Sequence, residues 1–199
     1  VCVPEITTVV SDQTNMVSKR SHAVATYDSN PWWTAYIPQG TWIWNTEFVQ
    51  NPTQDETVTF TKTFSVPGRV SASRIIIAAD NTYTAEINGK RFVSYTGQDE
   101  NFFLENQAVY SLKTLVVKGE NTLTITVTNK GMSGSDAYTN PAGLLYRLQV
   151  LSYNCNVNDL EIVPICTTAQ GGAQWRVLND KNIFNVPFTW DVSPTQETG

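Results

Sequence analysis

Apolar and polar positions alternate with a period of two along most of the chain, the signature of half-buried strands. Over 57–66, Val58, Phe60, Phe64 and Val66 fall on one face, and Thr57, Thr59, Thr61 and Thr63 on the other. Lys62 interrupts the apolar face, which predicts a position near a sheet edge. Over 121–128, Leu123, Ile125 and Val127 alternate with threonines. Over 144–151 the inner set is Leu144, Tyr146, Leu148 and Val150. Residues 74–79, RIIIAA, form a continuous apolar run, as a central strand covered on both faces would. Residues 82–87 alternate again through Tyr83, Ala85 and Ile87. The punctuation agrees. Asp80-Asn81 separates two strands, and Asn88-Gly89 predicts a tight hairpin, because a type I′ turn needs positive φ at both central residues. No helical period longer than a turn or two is present. The pattern predicts an all-β fold, an antiparallel β-sandwich or jelly roll.

The pattern shifts near residue 155. Residues 1–155 read as one complete β-sandwich. Residues 156–199 read as a short, incomplete β-stranded tail, with strands at Ile162–Cys166 and at Trp175-Arg176-Val177. A third alternates through Phe184, Val186, Phe188, Trp190 and Val192. Three strands are too few to bury a sandwich core alone. The tail is expected to pack on the first domain, on another chain, or on a further part of the protein outside this sequence. In the second case the 184–192 strand would complete a neighbour's sheet, and head-to-tail repetition of that contact would build a surface filament or layer.

Composition narrows the function classes. The 199 residues can bury about 70% of their unfolded surface, so neither a metal nor a disulfide is needed just to hold a core. Charged residues are only 16% and the net charge is −5, which argues against gripping phosphates and hence against nucleic-acid binding. The excess lies in 26 Thr, 21 Val and 17 Asn, strand and turn formers. No apolar run approaches the ~20 residues of a membrane span. The chain begins at Val1 rather than Met, which fits removal of a preceding segment such as a secretion signal. With little Lys and low charge, the expected location is outside the cell. Three cysteines, Cys2, Cys155 and Cys166, have no CxxC spacing, and His22 is remote from all of them. That predicts one disulfide and one leftover thiol rather than a zinc site. Cys155–Cys166 would close a short loop, while a bond from Cys2 would tie the N-terminus to the domain end. The odd cysteine could also pair with another chain.

The densest unusual feature is Pro31-Trp32-Trp33-Thr34-Ala35-Tyr36, followed by Trp42-Ile43-Trp44. Trp42 and Trp44, two apart, are expected to share a core-facing side. Trp32 and Trp33, being adjacent, are expected to point oppositely, leaving one accessible for stacking on the apolar face of a sugar. Loop residues Asp80, Asn81, Asp99, Glu100, Asn101, Asp136 and Asn140 supply oxygens for turns, for sugar hydroxyls or for Ca2+. The carboxylate pairs Asp55-Glu56 and Asp99-Glu100 are adjacent in sequence and expected to point apart, unlike a glycosidase pair. With one histidine and no HExxH, GxSxG or P-loop, no catalytic residue stands out, and the chain is expected not to be an enzyme.

Several stretches taken together carry a resemblance: Trp42-Ile43-Trp44, Phe60–Phe64, Ala78–Tyr83, Ile87-Asn88-Gly89, Gly119–Leu123 and Asn140–Leu145. Over roughly residues 30–153 the sequence resembles the galactose-binding-like β-sandwich modules found beside α-L-rhamnosidase and other glycoside hydrolase domains and in bacterial surface proteins. The tail resembles the opening half of small β-domains in secreted bacterial proteins. The resemblance implies a non-catalytic, extracellular glycan-binding or adhesion module. Its partner would be a glycan or other surface ligand, and its only cofactor a structural Ca2+. The resemblance itself assigns no site residue; the aromatic run and loop oxygens place the expected site at the loop ends near Trp32, Trp33, Tyr36, Asp80 and Asn81. The alternative is the filament subunit joined to copies of itself through the C-terminal strand.

Overall fold

The computed structural model describes residues 2–94, 99–112 and 114–155 in full, and the backbone of 161–166, 173–179 and 182–184. The strands, in chain order, are β1 (Cys2–Val10), β2 (Met16–Ser18), β3 (Ser21–His22), β4 (Val24–Ala25), β5 (Ile43–Trp44), β6 (Glu56–Val66), β7 (Arg69–Asp80), β8 (Thr82–Ile87), β9 (Lys90–Val93), β10 (Ala108–Ser111), β11 (Gly119–Asn129), β12 (Gly143–Cys155), β13 (Glu161–Cys166), β14 (Ala173–Asn179) and β15 (Asn182–Phe184). A 3-10 turn spans Leu104–Asn106. The chain divides into two compact units, Pro4–Asn154 and Val1–Val3 with Cys155–Gly199.

The first unit is an antiparallel β-sandwich. One sheet runs β10-β7-β12-β5-β4, with β1 also on β12, and the other runs β3-β2-β6-β11-β8-β9. The long strands β6, β7, β8, β10, β11 and β12 cross between the sheets in the jelly-roll manner, while β2–β3, β4–β5 and β8–β9 pair as chain neighbours within one sheet. The inner faces are the sets the alternation predicts. Phe60, Phe64 and Val66 meet Leu123, Ile125 and Val127 on one side, and Ile75, Ile77, Leu144, Tyr146, Leu148 and Val150 on the other. The outer face of the second sheet carries the threonines. Thr57 and Thr128 are hydrogen-bonded across the β6–β11 ladder at 2.8 Å, and Thr59 and Thr126 at 2.9 Å. Much of the threonine excess is therefore this sheet face.

Lys62 sits on the inner side of β6, largely covered, and its ammonium pairs with the Asp12 carboxylate at 2.7 Å. Burial raises the Asp12 pKa, but the hydrogen bonds from Lys62 and Thr14 outweigh it and hold the carboxyl below its ordinary value. Beyond β6 lie only the short β2, joined to it at Met16–Thr61, and the two-residue β3, so β6 is close to an edge as expected. Asn88 and Gly89 both have positive φ, 52° and 74°, the geometry the β8–β9 turn demands.

Residues 75–79 are apolar throughout because both faces of β7 are covered there, whereas Arg74 at the start of the run is exposed. Ile75, Ile77 and Ala79 face the sandwich core, while Ala78 and Ile76 face a second small cluster with Ala35, Ile37, Trp42, Leu145, Trp33 and Phe102. That cluster corrects one expectation. Trp42 and Trp44 do not share a face: Trp44 is fully buried in the main core, and Trp42 lies in the outer cluster. The period-two rule needs an extended strand, and β5 begins only at Ile43, so Trp42 belongs to the loop.

A disulfide joins Cys2 to Cys155 across 153 positions. In the second unit, β13, β14 and β15 form an antiparallel sheet in which Cys166 is opposite Ala173 and Phe184 opposite Val177. Val186, Phe188, Trp190 and Val192, the remainder of the expected assembly strand, lie outside the described residues.

Candidate functional site

At one end of the sandwich β7 finishes at Asp80, β11 at Asn129, and β6 and β12 begin at Glu56 and Gly143. The loops 26–42, 45–55, 99–107 and 130–142 gather there; the first carries Trp32, Trp33 and Tyr36, while Asp80 ends β7 and Asn81 follows it.

Trp32 and Trp33 do point differently. Trp32 is 65% exposed, its backbone N–H donating to Asn30 Oδ1 at 2.9 Å. Trp33 turns onto the sheet. Its ring stacks on Trp42 with centroids 4.2 Å apart, and its indole N–H donates to Asp80 Oδ2 at 2.8 Å. The pair fits because position 143 is glycine. A Cβ there would lie 2.7 Å from Trp33 Cη2 and 2.8 Å from Trp42 Cε3. Beyond Trp33 the loop is tied down to the 102–107 segment. Leu104 N–H donates to Thr34 Oγ1, Ala35 N–H to Phe102 O, and Tyr36 N–H to Gln107 Oε1 at 3.1 Å. Tyr36 is left 71% exposed.

Asp80 is only 4% exposed. One carboxylate oxygen accepts from Trp33, and Oδ1 has no hydrogen-bond partner. Burial pushes its pKa up to about 7, against the opposing pull of the Trp33 hydrogen bond. Asn81 is committed on all sides. Its N–H donates to Thr128 O, its carbonyl accepts from Asn101 Nδ2 at 2.6 Å, and its Oδ1 accepts from Lys130 N–H at 2.6 Å. Of the five residues, then, Asp80 is buried and bonded to the partly buried Trp33, Asn81 pins loops together, and Trp32 and Tyr36 present rings to solvent.

The other loop oxygens are similarly occupied. Asp99 pairs with Lys130 at 2.6 Å. The Asp136 carboxylate is held below its ordinary pKa by the Thr139 backbone N–H first, then by the Thr139 hydroxyl and Tyr138 N–H, so it caps its own turn. Asn140 Nδ2 donates to Pro52 O and Lys130 O. Asp55 accepts from Gly131 N–H while Glu56 accepts from the Trp44 indole at 3.0 Å, so these neighbours serve different partners. Among the described residues no group of three or more His, Cys, Asp or Glu is placed to hold a metal. No described helix is long and apolar enough to cross a membrane.

The sequence reading missed a second aromatic feature at this end. Tyr27, Phe48 and Tyr138 come from three loops and pack ring to ring. Tyr27 and Phe48 stack at 5.6 Å, and Tyr138 meets them at 5.2 and 5.3 Å. Phe48 is 38% and Tyr138 57% exposed. No spacing in the sequence could mark these rings, which are isolated aromatics brought together only by the fold.

No protein-family model matches the chain, and no curated protein does. Among solved structures the fold is similar to an α-L-rhamnosidase of Streptomyces avermitilis crystallised with L-rhamnose, at 23% identity and TM-score 0.43. That match covers 64% of this chain and 13% of the rhamnosidase. A family 35 carbohydrate-binding module from Clostridium thermocellum is similar at 10% identity and TM-score 0.40, covering 72% of this chain and 97% of the module. An α-L-rhamnosidase from Aspergillus terreus is similar at 19% identity and TM-score 0.37, covering 66% of this chain and 15% of the enzyme. The chain spans only a small part of either rhamnosidase, 13% and 15%.

Proposed function

We propose that this chain is a non-catalytic glycan-binding module acting outside the cell, on a bacterial surface, and that it binds through the loop end around Trp32 and Tyr36. The observation that carries the reading is the contrast within one loop. Trp33 is partly buried, stacked on Trp42 and bonded to Asp80, whereas Trp32 and Tyr36 stay 65% and 71% exposed although their backbones are fixed by Asn30 and Gln107. Holding large rings in water on a fixed backbone sacrifices burial worth roughly 1.5–3 kcal/mol per side chain, and a stacking ligand would recover it. Flat rings suit the C–H faces of sugars, with a few hydrogen bonds for orientation. Asp80, Asn81 and Trp33 are positioning residues in this reading: they hold the loop and do not touch the ligand. The Cys2–Cys155 disulfide fits an oxidising compartment. Affinity is expected to be weak and to gain from several copies.

The test is a soluble-glycan array and an insoluble-polysaccharide pull-down with the wild type and with Trp32→Ala and Tyr36→Ala. Binding of at least one glycan that drops in both variants supports the reading. Retention by no glycan, or binding indifferent to both substitutions, ends it.

A further inference from the structure

The exposed rings at this end form two groups, and one buried side chain ties them together. Asn30 is 7% exposed. Its Oδ1 accepts from Trp32 N–H at 2.9 Å, and its Nδ2 donates to the Tyr138 carbonyl at 3.2 Å. One carboxamide spanning both contacts places that nitrogen and that oxygen within about 9 Å of each other. Tyr138 is in turn packed on Tyr27 and Phe48. The first group is fixed through Asn30 and Gln107, the second through Asn30, the Asp136 turn and the Thr26 hydroxyl, which donates to Glu47 O at 2.9 Å. Two pre-ordered ring platforms on neighbouring backbone offer more than one pyranose can cover.

The charges flanking the platforms have one sign. Loops 26–42, 45–55 and 130–142 hold Asp28, Glu47, Asp55 and Asp136, with Lys130 as their single cation, and Lys130 pairs with Asp99. Asp28 and Glu47 adjoin Tyr27 and Phe48 directly, and Asp136 precedes Tyr138 by two. All three are exposed. A polyanionic glycan would meet repulsion at the second platform with no unpaired cation in these loops to offset it.

We propose that the site takes an uncharged oligosaccharide of several units, seated on Trp32 at one position and on Tyr138, with Phe48 and Tyr27 behind it, at another. This rests on the glycan-binding reading above and adds chain length, charge class and the second seat. Isothermal titration tests it, with cellohexaose, mannohexaose and xylohexaose, the matching monosaccharides, and a hexameric oligogalacturonate as probes. At least one neutral hexasaccharide is expected to bind at least tenfold tighter than its monosaccharide, and the oligogalacturonate to bind more weakly. Tyr138→Ala and Phe48→Ala are expected to weaken the hexasaccharide about three- to tenfold, the worth of a lost aromatic contact, and to leave monosaccharide binding unchanged. Thermal melts of each variant, with Tyr138→Leu as a second substitution, separate a lost contact from a lost fold. Equal affinity for monosaccharide and hexasaccharide, or full binding by a folded Tyr138→Leu, overturns the second seat while leaving the Trp32 reading intact. Equal or tighter binding of the oligogalacturonate overturns the charge class. Failure of every probe to bind the wild type overturns this proposal, and the broader reading falls only if the glycan array is silent as well.

Discussion

Replacing Asp80 by Asn is expected to flatten the pH dependence of stability between pH 5 and 8. Asp80 is buried on the outer face of β7, bonded through one oxygen to Trp33, with the other oxygen unpartnered. Its pKa rises from 3.8 to about 7 on folding because burial disfavours the charged form. The folded state therefore binds this proton more tightly than the unfolded chain. Its contribution is fully present below pH 3.8 and is lost as the pH rises through 7. At about 1.4 kcal/mol per pH unit, the loss from pH 5 to pH 8 is about 3 kcal/mol, or roughly 6–12 °C in melting temperature for a domain of this size. Asp12 and Asp136 do not interfere. Their folded pKa values are lowered, so their contributions are lost only as the pH falls below the ordinary carboxylate range. Asn keeps an acceptor for the Trp33 indole and cannot ionise. Urea midpoints at pH 5, 6, 7 and 8, with the disulfide intact, are expected to fall for the wild type and to stay nearly level for Asp80→Asn, which becomes the more stable protein at pH 8. Parallel pH profiles for the two proteins would refute the reasoning and mean that Asp80 ionises without penalty.

Two further substitutions test the frame around the site. Gly143→Ala drives a methyl group into Trp33 and Trp42, and is expected to cost roughly 1–3 kcal/mol and to alter the near-ultraviolet circular dichroism of the stacked rings. An unchanged spectrum would show that the stack does not need the glycine. Removing the disulfide with Cys2→Ser and Cys155→Ser frees a loop closed across 153 positions, and is expected to cost about 5 kcal/mol on the chain-entropy account. Coincident melts of the oxidised and reduced forms would show that the bond does not restrain the unfolded chain.

Which parts of this molecule can be read from its sequence follows from what fixes each part. The strands β6, β7, β8, β11 and β12 are legible because burial on a pleated surface imposes a period of two over six or more residues, and because the Asn88-Gly89 turn has few alternatives. The doubly apolar run at 74–79 correctly signals cover on both faces, although the sequence does not say that the Trp33–Trp42 loop supplies it. The short β2, β3, β4 and β5 are too brief to show a period, and that brevity also misplaces Trp42. The pairing of Cys2 with Cys155 is invisible because 153 positions of fold decide it. At the candidate site, the divergence of Trp32 and Trp33 is legible from adjacency. Asp80 as a buried partner of Trp33, and Tyr27, Phe48 and Tyr138 as one cluster, depend on loop packing that no local spacing encodes.

The central claim, that this end of the sandwich binds glycan through outward rings while Trp33 and Trp44 serve the fold, is tested most directly by the indole N–H resonances of the tryptophans. Trp33 and Trp44 donate to Asp80 and Glu56, and Trp32 is exposed. In a 1H–15N titration with a neutral hexasaccharide found to bind, the Trp32 indole signal is expected to move progressively with ligand, while those of Trp33 and Trp44 stay near their starting positions. A titration in which Trp32 stays still and the Trp33 and Trp44 indoles move, or in which no indole responds at saturating ligand, would contradict the account.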